Sequence, residues 1–208
     1  MEERKIPGAV YDQDTKNKIL NTATELFALK GFNAVSMREI ANAVGIKMSS
    51  IYHYYDGKDS LLKDVLSHFE TGYRHYFDWL TEVNKKADSL ETLMDNFFNK
   101  EFLEMRNPIA CFAMSLILKE QHNNESAREC VLKLIYEFSI NRIQADIDRL
   151  VAKGKIPASD TKTASTLFML GVVISNDLRI HEHAGTKLPI EIMDIYNGIR
   201  KMLTLALS

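Results

Sequence analysis

The sequence predicts an all-α protein of about nine helices, a short three-helix head followed by a larger helical body, and three observations carry that prediction. Apolar residues recur at helical spacing along nearly the whole chain, and no run of strict alternation is bounded by turn residues. Glycine and proline stand where helices should stop or start, at Gly31, Gly45, Gly57, Pro108, Gly154, Pro157, Gly185 and Pro189. The segments that they mark out are short before Gly57 and long after it.

The first helix is expected over residues 14–30, with Ile19, Leu20, Ala23, Leu26 and Phe27 on one stripe and Gly31 as its C-cap. Ser36-Met37-Arg38-Glu39 has the form of a capping box, in which Ser36 and Glu39 satisfy each other's free amides and start a second, brief helix that carries Ile40, Ala41 and Val44 inward. A break at Gly45 and a restart at Lys47 give a third helix to Tyr54. From Lys58 one apolar pattern, from Leu61 through Phe69 and Phe77 to Leu80, runs for about six turns. Further helices are expected over residues 89–105 behind a box of Asp88 and Glu91, and then over 108–121, 124–153, 160–183 and 189–207.

The chain has 208 residues, 46% of them apolar, with 26 Lys plus Arg against 28 Asp plus Glu. That is enough apolar material for a sizeable core. The longest wholly apolar run, Leu167 to Ile174, is far shorter than the roughly 20 residues that a spanning helix needs, so no membrane is expected. A charged start, Met1 to Gly8, followed by no apolar stretch, predicts a cytoplasmic protein whose two cysteines, Cys111 and Cys130, stay as thiols. Residues 1–65 hold nine basic and nine acidic side chains, so any nucleic-acid contact must come from a few placed groups rather than from a broad positive field.

Ala41, Gly45 and Ile51 stand at the spacing of a helix-turn-helix. A small residue lets the second helix cross the first, glycine allows the turn with positive φ, and an apolar wedge separates the two helices. In such a unit the second helix enters the DNA major groove. Here it reads Lys47-Met48-Ser49-Ser50-Ile51-Tyr52-His53-Tyr54-Tyr55. With Ile51 and Tyr55 turned inward, the remaining face offers a cation, hydroxyls and aromatics. Lys, Ser and Tyr are phosphate ligands, whereas Met48 and His53 can touch bases or thymine methyls. A merely solvated polar face is the competing reading.

The ordered set Ile19-Leu20-x-x-Ala23-x-x-Leu26-Phe27-x-x-x-Gly31-Phe32, Ser36-Met37-Arg38-Glu39-Ile40-Ala41, Val44-Gly45-Ile46 and Ile51-Tyr52-x-Tyr54-Tyr55-x-x-Lys58-x-x-Leu61-Leu62 resembles the DNA-binding head of the TetR family of transcriptional repressors. The resemblance implies a head over residues 1–58 and an effector-binding and dimerisation domain over 59–208. It also implies a homodimer on a palindromic double-stranded operator, released by a small-molecule effector; neither cofactor nor metal is expected. Carried over by position, Arg38, Ser50, Tyr52 and Lys58 would hold phosphates, and Met48, Ser49, His53 and Tyr54 would lie nearest the bases. The family often has Ser or Thr where Lys47 stands and a small residue where Ser49 stands, so Lys47 would replace a capping contact to phosphate with a point charge.

In the body, the helix from residue 160 is apolar nearly all round over Leu167 to Ile174 and needs cover on two sides. The last helix repeats apolar residues along a seam. Phe168, Val172, Ile192, Ile195, Tyr196, Ile199, Met202 and Leu203 are therefore the candidates for a four-helix interface about a two-fold axis, with completion of the monomer core as the alternative. Trp79, Phe98, Phe102, Met105, Phe112 and Phe168 are bulky apolar candidates for the effector pocket, and His75, Gln121 and Asn176 are polar groups able to orient a ligand. Cys111, in the first turn after Pro108, is a candidate electrophile or redox sensor on the same scaffold, with a buried inert thiol as the competing reading.

An enzyme is not expected. Gly57-Lys58 lacks the earlier glycine of a phosphate loop, and His181-Glu182-His183 places its histidines on different helix faces, with Gly185 where a metal motif needs His. A helical adaptor that binds protein through Tyr52, His53 and Tyr54 is the remaining alternative class.

Overall fold

The computed structural model describes residues 15–97, 108–157, 160–183, 185–187, 190 and 192–206, with Pro108, His183, Ile192 and Ala206 described by backbone alone. Within them the chain is helical without a strand. The helices are α1 (Thr15–Lys30), α2 (Met37–Val44), α3 (Met48–Ile51), α4 (Lys58–Asn84), α5 (Leu90–Phe97) and α6 (Pro108–Glu120). A rod, α7, is built of Glu125–Glu129, Cys130–Phe138 and Ser139–Ala152, and α8 (Thr161–His183) and α9 (Ile192–Ala206) follow. None is long and apolar enough to cross a membrane.

The chain divides into two compact units, residues 1–75 with 107–131, and residues 76–106 with 132–208. In the first unit, α1 packs on α2 and on α6. Its core gathers Ile19, Leu20, Ala23 and Phe27 with Ile40, Ala41, Ile51, Leu61, Leu62 and Val65, all buried. The head helices therefore do not close a core on their own: α6 covers α1, and the Lys119 ammonium donates to the Ala28 carbonyl at 3.0 Å. In the second unit, α8 packs against the last segment of α7 and against α9, while α5 touches both α7 and α9. Phe97 meets Phe168 edge-on with ring centroids 4.4 Å apart, and Phe77 meets Phe138 at 5.6 Å.

The rod α7 departs from the uniform helix expected over residues 124–153. Asn124 caps it, its side chain accepting from the Ala127 amide at 3.0 Å. Over the nine residues Cys130–Phe138 the helix widens to i→i+5 bonding, and the Ser139 hydroxyl donates to the Leu134 carbonyl five residues back at 3.1 Å. The widening keeps one set of buried residues aligned. Ala127, Val131, Ile135, Ser139, Ile143 and Ile147 are all buried at a constant spacing of four. Over that span an α-helix makes about 5.6 turns and would carry Ile147 roughly 200° away from Ala127. With nine residues at about 4.4 per turn, the total falls close to five turns and all six stay on one face.

Three other boundaries differ from expectation. The α3 hydrogen bonding stops at Ile51 and continues to Tyr55 as turns, with the His53 amide on the Ser50 carbonyl and the Tyr54 and Tyr55 amides on the Ile51 carbonyl. The start of α5 is capped by Ser89, whose hydroxyl accepts from the Thr92 amide at 3.1 Å, and not by Asp88. The last helix is described from Ile192, three residues beyond Pro189.

Candidate nucleic-acid interface

The local sequence folds the head into a rigid platform for α3. Gly31 ends α1 with φ 92°, and Ser36 caps α2 by accepting from the Glu39 amide at 3.2 Å. The reciprocal half of the expected capping box is replaced: the Glu39 carboxylate pairs with Lys30 at 2.6 Å, tying the end of α1 to the start of α2, and that ammonium holds Glu39 below the usual carboxylate range. Gly45 turns the chain with φ 82° and ψ 29°. Its amide reaches the Ala41 and Asn42 carbonyls, and the Ile46 amide returns to Ala41 at 3.0 Å. A Cβ there would meet nothing within 4 Å, so glycine is required by the left-handed backbone and not by space.

Two anchors seat α3. Ile51 is 0% exposed and Tyr55 5%, as the inward assignment predicts. The Tyr55 hydroxyl donates to the Asp64 carboxylate of α4 at 2.7 Å, and Lys16 of α1 lies 3.1 Å from the same carboxylate. Burial by itself would raise Asp64, but the Tyr55 hydroxyl, Lys16 and His68 outweigh it and hold the carboxyl below its usual range. Burial and the Asp64 charge push the Tyr55 phenol far up, so it stays a donor. Lys16 and Asp64 were not singled out in the sequence, because their meeting depends on how α1 and α4 pack.

What remains outward is part of the expected set. Arg38, Lys47, Ser49 and His53 are exposed, Tyr52 is 48% and Tyr54 42% exposed, and Met48 and Ser50 are half-buried at the edge of the platform. Lys58 sits differently from its neighbours. Its ammonium donates to the Phe32 and Asn33 carbonyls at 2.9 and 3.4 Å and lies 4.8 Å over the Phe32 ring, so it links α4 to the α1–α2 turn.

The body candidates divide between the two units. In the first, Cys111 and Phe112 are buried, His75 is exposed, and Gln121, just past the end of α6, donates to the Leu118 carbonyl at 2.7 Å. Cys130 is half-buried, and burial with the Glu70 carboxylate pushes its thiol up to about 11 against the pull of Arg74. In the second unit, Trp79 lies 5.9 Å from Tyr76 in a group of rings that includes Phe97 and Phe168, and Asn176 is buried. Phe98, Phe102 and Met105 lie outside the described residues.

Of the interface candidates, Phe168, Val172, Tyr196, Ile199 and Leu203 are buried within the second unit, Ile195 is half-buried and Met202 is exposed, while the Ile192 side chain lies outside the described residues. Gly171 brings α8 against α9: a Cβ on it would fall 2.0 Å from Ile199 Cδ1. The apolar side chains left exposed on these helices include Leu170 and Ile174, one turn apart on α8, and Met202 and Leu205, nearly one turn apart on α9.

Residues 19–65 match the model of the bacterial regulatory proteins of the tetR family. Over 151 residues, 65% of this chain and 77% of the relative, the sequence is 24% identical to IcaR of Staphylococcus aureus strain Newman, the HTH-type negative transcriptional regulator of the biofilm operon icaADBC. Over 85 residues, 41% of each chain, it is 41% identical to the "Probable HTH-type transcriptional regulator YttP" of Bacillus subtilis strain 168. The fold is similar to that of SmeT in a complex with triclosan, with a TM-score of 0.67 at 15% identity over 94% of this chain and 93% of that one.

Proposed function

Because the chain belongs to the TetR family of transcriptional regulators, we propose that it acts as a repressor that binds a palindromic operator as a homodimer and leaves it when a small molecule binds the body. The observation that carries the DNA-binding part is the seating of α3. Two buried anchors, Ile51 and Tyr55, hold a short turn of exposed Lys47, Ser49, Tyr52, His53 and Tyr54 outward on a rigid head. Phosphate contacts from Arg38, Lys47 and the Tyr52 hydroxyl fix its register, and the groove-facing side chains read sequence. Lys58 supports the platform through the α1–α2 turn in addition to any phosphate contact.

Repression is the reading supported by the negative regulator IcaR among the relatives. The dimer is supported by Leu170, Ile174, Met202 and Leu205, large apolar side chains left at the surface of two helices that already bury their other sides against each other. The buried members of the candidate seam, Phe168, Val172, Tyr196, Ile199 and Leu203, then set the spacing of α8 and α9 beneath that surface. The ring-rich interior of the second unit around Trp79, Phe97 and Phe168 favours an apolar or aromatic effector, and the triclosan complex of SmeT is a neighbour with a ligand of that kind.

Selection of duplexes from a random pool, followed by sedimentation of the complex, tests the reading. The expected result is a palindromic site occupied by two protomers and vacated on addition of a small molecule from a screened set. A protein that sediments as a monomer at micromolar concentration, or a pool that yields no preferred sequence, would contradict it.

A further inference from the structure

The face that meets DNA has a restricted chemistry, and this bears on what it can read. Between Lys47 and Tyr54 there is no Arg, Asn, Gln, Asp or Glu. Guanine is read in the major groove by paired donors from Arg or Lys, adenine by Asn or Gln, and cytosine by a carboxylate, whereas thymine offers a C5-methyl to apolar contact. The segment thus lacks the amide that reads adenine and the carboxylate that reads cytosine. Its one lysine, Lys47, is taken up by a phosphate in the reading above. Its apolar reader is Met48, half-buried against the head while Lys47 and Ser49 on either side are exposed. A partly packed methionine is a shaped and polarisable surface, suited to a methyl group.

Resting on the DNA-binding reading above, in which Lys47 holds a phosphate, we propose that the operator half-site is specified mainly by thymine methyls packed against Met48. Ser49 and His53 add hydrogen bonds that tolerate more than one base. Tyr52 holds a flanking phosphate through its hydroxyl.

The test uses the full-length protein and a duplex selected from a random pool. Each half-site thymine is replaced in turn by deoxyuridine, which removes the methyl and leaves base pairing intact. At the contacted thymine, affinity should fall about four-fold for each methyl lost, and more when both half-sites are changed. Met48→Ala should bind more weakly and show no further loss with deoxyuridine, while Met48→Leu should keep the sensitivity and so exclude a folding defect. The proposal is overturned if every thymine can be replaced without loss. It is also overturned if Met48→Ala keeps the full deoxyuridine effect. A pool that yields no preferred duplex would instead overturn the DNA-reading function itself, which separates the two failures.

Discussion

The Tyr55 hydroxyl donates to the Asp64 carboxylate at 2.7 Å, and this single bond joins the end of the recognition turn to α4. Because Asp64 also lies 3.1 Å from Lys16, one carboxylate holds three elements of the head, α1, the α3 turn and α4, in register. A charged acceptor in a half-buried site makes such a bond worth more than an exposed pair.

Tyr55→Phe should therefore destabilise the protein by about 1.5–3 kcal/mol in urea unfolding and weaken operator binding with it. The pH dependence follows from the two shifts. Asp64 lies below its ordinary value of 3.8, so its contribution is present above that value and is lost as pH falls through the lowered one. Tyr55 lies above its ordinary value of 10.0, so its contribution is present below 10.0 and is lost as pH rises beyond it. The variant should lose the alkaline dependence and keep a shallower acid one.

Arg149 closes the far end of α4. Its guanidinium donates to the Asn84 carbonyl at 2.6 Å and to the Ala87 carbonyl at 3.0 Å, while the Asn84 side chain, itself buried, donates to Asp146 at 2.6 Å. Arg149→Met should cost about 2–3 kcal/mol, because two carbonyls lose a charged donor. Asp146→Asn should behave differently. Burial raises Asp146 above 3.8 despite Asn84, Arg149 and Arg142, so its ionised form weakens the fold as pH rises past that value. The amide should be neutral or stabilising at pH 7 and should remove that slope, as measured by unfolding at several pH values.

Gly171 marks the closest approach of α8 and α9. Adding a Cβ places it 2.0 Å from Ile199 Cδ1 and 2.8 Å from Cγ1, so Gly171→Ala should cost about 1–3 kcal/mol through displacement of that side chain. Ile199→Ala removes the obstructing atoms. The double variant should recover part of the loss, giving a coupling energy that thermal unfolding can read. If α8 and α9 carry the dimer surface, Gly171→Ala should also shift sedimentation toward monomer.

Much of this was legible in the sequence where the determinants are local. Ser36, Gly45 and Ile51 each state a backbone or packing demand within a few residues, and the structure meets each one. The Glu39–Lys30 pair was not legible, since a capping box and an interhelix ion pair draw on the same carboxylate and only the fold decides between them. Tyr55 was legible as an inward residue but not as the partner of Asp64, nine residues away and brought close by the packing of α4. The widened segment of α7 was not legible either. The residues buried at a constant spacing of four from Ala127 to Ile147 emerge only from the structure, because Leu132, Leu134, Tyr136, Phe138 and Ile140 are equally apolar in the sequence. In α8 the sequence showed too much apolar surface for one side without saying which side chains face the core. Phe168 and Val172 are buried, and Leu170 and Ile174 are exposed.

The central claim is that a few placed cations on the head, Lys47 on the recognition turn and Arg38 on α2 among them, bring this nearly neutral chain to DNA. The salt dependence of binding to the selected operator, measured for the unaltered protein and for Lys47→Ala, tests it most directly. Affinity should fall steeply with salt in the unaltered protein, and Lys47→Ala should reduce the slope of log K against log salt by about two, one phosphate contact for each of two protomers. An unchanged slope, or binding indifferent to salt, would contradict it.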